Sequence, residues 1–149
     1  MLRLADVIEA LSGQRPPNAE QVITQAVIDS RTAIPGCMFV ALKGERVDGH
    51  DYVAHAFEQG ASFALVHRDL SGQFPQLDLR SEVTAQQLAN LPQPACLLVP
   101  ETLTALQQIA RFWRAKLDVT VIGITGSVGK STTKEVAAHV LSHRYSTLK

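Results

Sequence analysis

Gly126-Ser127-Val128-Gly129-Lys130-Ser131 places two glycines, a lysine and a hydroxyl where they could act together on phosphate groups. Glycines let the backbone turn so that successive N–H groups converge on one anion. The Lys130 ammonium adds a full positive charge, and the Ser131 hydroxyl can ligate Mg²⁺. Thr125, Gly126, Ser127, Val128, Gly129, Lys130, Ser131 and Thr132 are therefore the candidate phosphate cradle. The strict pattern, G-x-x-x-x-G-K-[ST], fails once, because Ile124 stands where the first glycine belongs. The setting supports the reading. A run of β-formers from Val119 to Ile124 precedes the loop, and a helical pattern from Lys130 to about Leu141 follows it. Lys134 and Glu135 read as solvent-facing.

Two further polar clusters lie where apolar runs end. Asp29-Ser30-Arg31 follows the alternating stretch Val22 to Ile28, and Gly44 to His50 follows Met38 to Leu42. Loops after strands are where α/β proteins hold small ligands. Ser30 can donate and accept a hydrogen bond, Arg31 can hold a phosphate, and His50 can meet a base or sugar. Gly44, Asp48 and Gly49 complete this second set of candidates. The alternative is turn chemistry: Asp29 and Asp48 bonding local backbone, with His50 capping the next helix. By spacing alone the turn reading is the simpler one. His55 and His67 read as structural histidines with satisfied rings.

The elements that must carry these residues alternate. Leu4, Val7, Ile8 and Leu11 mark a short amphipathic helix ending near Gly13. Strands are expected at Val22–Ile28, Met38–Leu42, Ser62–Val66 and Cys96–Val99, with a helix from Tyr52 to Gln59 closed by Gly60. Another helix should begin at Pro100-Glu101-Thr102, with Thr102 as its N-cap, and run to about Lys116. Residues 68–93 are hard to read beyond a weak helical patch at Val83 to Leu88, and Tyr145 to Leu148 could open another strand. The fold class is α/β, with a boundary near Val99 to Glu101.

Composition narrows the function classes. Of 149 residues, 46% are apolar and 19% charged, and 14 basic residues balance 14 acidic ones, so nothing favours nucleic acid or a membrane surface. The two cysteines, Cys37 and Cys96, sit in apolar surroundings and suggest small buried residues rather than a disulfide framework. No apolar run has the length of a membrane span, and no signal segment is recognisable, so a cytoplasmic protein is expected.

Asp29-Ser30-Arg31, Pro35-Gly36 with Phe39 and Gly44 after it, Asp48-Gly49-His50, Gly60-Ala61 and Thr125-Gly126-Ser-Val-Gly-Lys130 occur in order. This ordered set resembles the N-terminal part of the Mur ligase family, ATP-dependent amide ligases that build the peptidoglycan stem peptide. It spans nearly the whole chain, with residues 68–93 its weakest part. No single motif decides it, but the ordered set is specific. The resemblance implies an α/β domain over residues 1–99 that holds the UDP moiety of the precursor. Residues 100–149 would then open a central ATPase domain with its first strand, P-loop and helix. Ser30, Arg31, Gly44, Asp48, Gly49 and His50 become uridine-diphosphate contacts, and ATP with Mg²⁺ sits at the loop, Ser131 supplying a metal ligand. In the implied reaction a substrate carboxylate takes the ATP γ-phosphoryl group, Lys130 stabilising charge on the group in transfer, and an amine then attacks the acyl carbon and displaces phosphate.

Within the family, Thr125 to Glu135 is most similar to members that join D-Ala-D-Ala to UDP-MurNAc-tripeptide. Members adding diaminopimelate or lysine usually carry Thr-Gly-Thr-Asn-Gly-Lys, where this chain has Ser127 and Val128; they are the nearer alternative. A UDP-sugar-binding module without catalysis is the alternative from another class. Beyond Ser131 the only acidic residue is Glu135, on the loop's own helix. The 149-residue chain is therefore expected to be a fragment inactive by itself, whose unpaired strand at Val119–Ile124 could drive self-association.

Overall fold

The computed structural model describes residues 1–149, which form two compact units, Met1–Leu117 and Asp118–Lys149. The first unit is built on a parallel five-stranded sheet of order β1-β2-β3-β5-β4. The strands are β1 (Ala26–Val27), β2 (Met38–Val40), β3 (Phe63–Val66), β4 (Gln76–Asp78) and β5 (Ala95–Leu98). Its helices are α1 (Leu4–Ser12), α2 (Val53–Glu58), α3 (Ala85–Ala89) and α4 (Thr102–Lys116). A sheet covered on both faces needs apolar side chains pointing both ways, which is why these strands read as continuous apolar runs. Met38 and Val40, Phe63 and Leu65, and Ala95 and Leu97 enter one core with residues of α1, α3 and α4. Their neighbours Phe39, Ala64, Val66, Cys96 and Leu98 enter a second core with Val53 and Ala56 of α2. Fully burying a side chain such as Phe39, Phe63 or Leu65 stabilises by roughly 1.5–3 kcal/mol each. Cys37 and Cys96 are buried free thiols, as expected, and burial pushes the Cys96 thiol up to about 12.

α1 and α4 pack together on the first face, and four charges join them. Arg15 and Lys116 each reach both Asp6 and Glu9, at 2.8 to 3.2 Å. Asp6 also accepts the Arg3 backbone N–H at 2.9 Å, satisfying an open donor at the start of α1. The compact unit runs through α4 to Leu117.

Several expected elements differ. The strand foreseen at Val22–Ile28 narrows to Ala26–Val27, because Val22 instead makes an isolated antiparallel bridge with Arg3. Glu101, not Thr102, caps α4: its carboxylate accepts the N–H groups of Leu103 at 2.9 Å and Thr104 at 2.6 Å. Thr102 turns inward instead, and its hydroxyl donates to the Ala41 carbonyl at 3.0 Å. The hard-to-read stretch holds β4 and α3, the latter started by a Thr84–Gln87 capping box.

The second unit contains one helix, α5 (Lys130–Ser142), with no buried residue. Val119 to Ile124 forms no strand, contrary to the sequence reading, and Val121 and Ile122 are exposed. A strand exists only through a partner's ladder, and no other part of this unit is a strand. Tyr145 to Leu148 likewise forms none. No helix is long and apolar enough to cross a membrane.

Candidate functional site

Because all five strands are parallel, their C-terminal ends share one edge, and the polar clusters of the first unit emerge there. After β1, Asp29 caps a short 3-10 turn (Ser30–Thr32) by accepting the Arg31 N–H at 3.0 Å. The same carboxylate takes the Arg31 guanidinium in a fork, Nε to Oδ1 at 2.9 Å and Nη2 to Oδ2 at 2.6 Å. The guanidinium hydrogen bond holds the Asp29 carboxyl down at about 2. Arg31 is exposed but its fork is committed to Asp29. Ser30 is buried, and its hydroxyl lies 3.0 Å from Nδ1 of His55 on α2.

After β2 the chain makes a narrow loop, closed by an antiparallel backbone β-bridge between Lys43 and Asp48 and by Gly44 N–H donating to the Val47 carbonyl at 2.9 Å. Gly49 lies flat against the returning strand end. A Cβ there would stand 2.7 Å from the Leu42 carbonyl oxygen and 2.8 Å from its nitrogen, both backbone atoms that cannot yield. Asp48 caps the next 3-10 turn (Gly49–Tyr52), which runs directly into α2. The His50 N–H bonded to the Asp48 carboxylate keeps that group below its ordinary range. Both aspartates thus do the turn chemistry that spacing suggested. Lys43 and Arg46 have no carboxylate within ion-pair distance, so they are the loop's uncommitted cations.

His50 is buried, and both of its ring nitrogens are bonded within the protein. Nδ1 meets Asp48 Oδ1 at 2.5 Å, while Nε2 accepts the backbone N–H groups of His67 at 3.0 Å and Arg68 at 3.3 Å. The ring thus links the 43–50 loop to the residues that follow β3. Arg68, just past β3, reaches Asp51 at 2.8 Å and Asp48 at 3.5 Å. The His67 ring stands edge-on to His50 with centroids 4.3 Å apart, and its Nδ1 lies 3.2 Å from Thr102 Oγ1. Sequence reasoning treated His55 and His67 as satisfied structural residues, and they are. It missed that they back up Ser30 and His50. The only signal for Thr102 was its place just after a buried strand.

In the second unit the glycine loop has the backbone its residues promised. Gly129 caps α5 with φ of 78° and Gly126 has φ of 150°, a region that L side chains rarely adopt. No side chain caps α5, so the N–H groups of its first turn face outward as anion donors. Lys130 Nζ donates to the Gly126 carbonyl at 2.5 Å, folding the ammonium over the loop. This donor set fits a polyphosphate. Glu135 pairs with Lys149 and Lys134, and no group of three or more His, Cys, Asp or Glu gathers to hold a metal ion. Ser131 would contribute one hydroxyl to Mg²⁺ that arrives with a nucleotide, whose phosphates supply further oxygens.

The chain also resembles known proteins. A family model described as "Mur ligase family, catalytic domain" matches residues 22–114, ending before the glycine loop. The UDP-N-acetylmuramoyl-tripeptide–D-alanyl-D-alanine ligase of Bacillus subtilis is 38% identical over 131 residues, covering 87% of this chain and 25% of its own length. A solved UDP-N-acetylmuramoylalanyl-D-glutamyl-2,6-diaminopimelate–D-alanyl-D-alanyl ligase from Acinetobacter baumannii superposes with a TM-score of 0.68 at 29% identity, over 97% of this chain and 29% of its own. MurF ligase from Thermotoga maritima, solved in complex with ADP, gives a TM-score of 0.58 at 30% identity, over 80% of this chain and 23% of its own. The chain spans about a quarter of the length of the relatives it matches.

Proposed function

The chain belongs to the Mur ligase family, and on that premise we propose that it is the opening portion of a ligase that joins D-Ala-D-Ala to UDP-MurNAc-tripeptide in cytoplasmic peptidoglycan synthesis. The observation that carries this is the order of two sites along the chain. A ligand edge built from Ser30–Arg31 and the 43–50 loop comes first, and an uncapped glycine-loop helix start follows in the next unit. The relatives most similar in sequence include several named as D-Ala-D-Ala-adding ligases, and Ser127-Val128 in the loop supports that branch over the diaminopimelate-adding one.

In this reading the first unit holds the uridine diphosphate. Ser30, oriented by His55, offers a hydroxyl; Gly44 and Gly49 let the loop close tightly on its own backbone; Asp48 and His50 keep the loop in shape. Arg31 presents an exposed guanidinium already forked onto Asp29, so Lys43 and Arg46 carry the uncommitted charge for phosphates. In the second unit, Gly126 to Gly129 and the first turn of α5 cradle the ATP phosphates, Lys130 leaves Gly126 for a phosphate oxygen, and the Ser131 hydroxyl turns to Mg²⁺. ATP with Mg²⁺ supplies the phosphoryl group that activates the precursor's carboxylate.

The 149-residue chain should bind both nucleotides without forming the amide bond, since Glu135 is the only carboxylate following the loop and is already ion-paired. Calorimetry with UDP-MurNAc-tripeptide and with a non-hydrolysable ATP analogue tests the two sites separately. Failure of the first ligand to bind removes the precursor assignment. Binding of the first without the second favours a UDP-sugar module. ATP-dependent amide formation by this chain alone would overturn the division of labour.

A further inference from the structure

His50 is the most constrained titratable group of the ligand edge, and its proton can be placed from its neighbours. A backbone N–H can only donate, so Nε2, facing the N–H groups of His67 and Arg68, must carry a lone pair. The proton therefore sits on Nδ1 and is donated to Asp48 Oδ1. The next ring is ordered by the same logic. The Thr102 hydroxyl spends its one proton on the Ala41 carbonyl, so its oxygen must accept the Nδ1–H of His67. Ala41 follows β2, His67 follows β3 and Thr102 opens α4, so one ordered set of protons ties three neighbouring elements to the 43–50 loop.

We propose that His50 is a positioning residue for precursor binding: as the neutral Nδ1–H tautomer it braces the 43–50 loop against the end of β3, and a proton added at Nε2 releases that loop. The inference rests on the precursor reading of this edge. A proton from solvent on Nε2 would point at two N–H groups that have no lone pair to accept it, so both bonds are lost at once. The charged and titratable groups around the ring are Asp48 on its own loop, His67 and Arg68 at the end of β3, Asp51 beyond Arg68, and Glu101 near His67. Burial disfavours the cation and outweighs the pull of Asp48, with His67 and Arg68 adding to the same direction. His50 therefore stays neutral below the ordinary imidazole range.

The test uses the full 149-residue chain and UDP-N-acetylglucosamine, whose doubly esterified diphosphate keeps its charge from about pH 7.5 to about pH 4.5. Nitrogen-15 imidazole spectra should show His50 with a protonated Nδ1 and a bare Nε2 at about pH 7.5. Affinity should weaken as acid protonates that ring, together with hydrogen-exchange protection at the His67 and Arg68 amides. His50→Gln puts an oxygen where Nε2 stood, so it should keep that amide protection and flatten the pH dependence. His50→Asn keeps only the donor to Asp48, so it should lose the protection and bind about tenfold more weakly at about pH 7.5. A proton on Nε2 at that pH, or the same pH dependence in wild type and His50→Gln, overturns the brace. No binding by wild type at any pH overturns the uridine-diphosphate reading of this edge instead, and the spectra and amide protection then decide the brace by themselves.

Discussion

Replacing Asp6 by Asn removes the buried member of the four-charge cluster that joins α1 to the last turn of α4. Burial by itself would raise the Asp6 carboxyl. Hydrogen bonds from Arg15 and Lys116, together with the Arg3 N–H, overcome this and lower it from 3.8 to about 2. That difference corresponds to about 2.4 kcal/mol of preference for the charged form in the folded state. The Arg15 and Lys116 side chains are 42% and 38% exposed, so solvent screening reduces the stabilising effect to about 1–2 kcal/mol. The sign follows from linkage. A carboxyl depressed in the folded state stabilises fully above its unfolded value of 3.8, and this stability is lost as pH falls through about 2. Asp6→Asn should thus destabilise the first unit by about 1–2 kcal/mol at neutral pH, and the gap to wild type should close towards pH 2. Trp113, the single tryptophan, lies on α4, so urea unfolding followed by its fluorescence reports the first unit. A variant as stable as wild type at neutral pH, or a gap that persists near pH 2, would refute the assignment.

Gly49→Ala should displace the 43–50 loop, because its Cβ would meet backbone at 2.7 Å; the expected cost is about 1–3 kcal/mol, with weaker UDP-sugar binding, and unchanged affinity in a titration would count against the loop as a site. Lys130→Ala should weaken a fluorescent ATP analogue by on the order of tenfold or more while leaving UDP-sugar affinity unaltered, and equal affinity for the analogue in both proteins would remove Lys130 from the phosphate site. Thr102→Val keeps the shape but strands the Ala41 carbonyl and the His67 Nδ1–H, so urea unfolding should show a loss of about 1–3 kcal/mol; a neutral result would show that water replaces the hydroxyl.

Legibility in the sequence tracked how local the determining physics was. The buried strands at 38–42, 62–66 and 96–99 declared themselves because runs of apolar β-formers have few other uses, and each lies within one or two residues of its observed span. Asp29 and Asp48 cap their turns through bonds to residues two positions on, which spacing alone suggests. β4 was unreadable because Gln76–Asp78 carries one buried residue, Leu77, and is a strand only through its pairing with β5. The reverse error occurred at Val119–Ile124, where strong β-formers with no ladder partner form no strand.

Residue types and spacing determined on their own that this chain has an α/β unit, a glycine loop opening a helix, and two polar clusters after strands. Propensity, periodicity and positive-φ glycines act over a few residues, so they are written in the chain itself. Which partners each cluster residue takes was decided only by folding. His50 is buried with both ring nitrogens bonded within the protein, Arg31 is forked onto Asp29, and Thr102, expected to cap a helix, ties Ala41 to His67. These roles depend on partners 2 to 61 residues away in sequence. The closer ones come from side-chain geometry that no pattern states, and the distant ones from parallel strands that bring their ends to one edge.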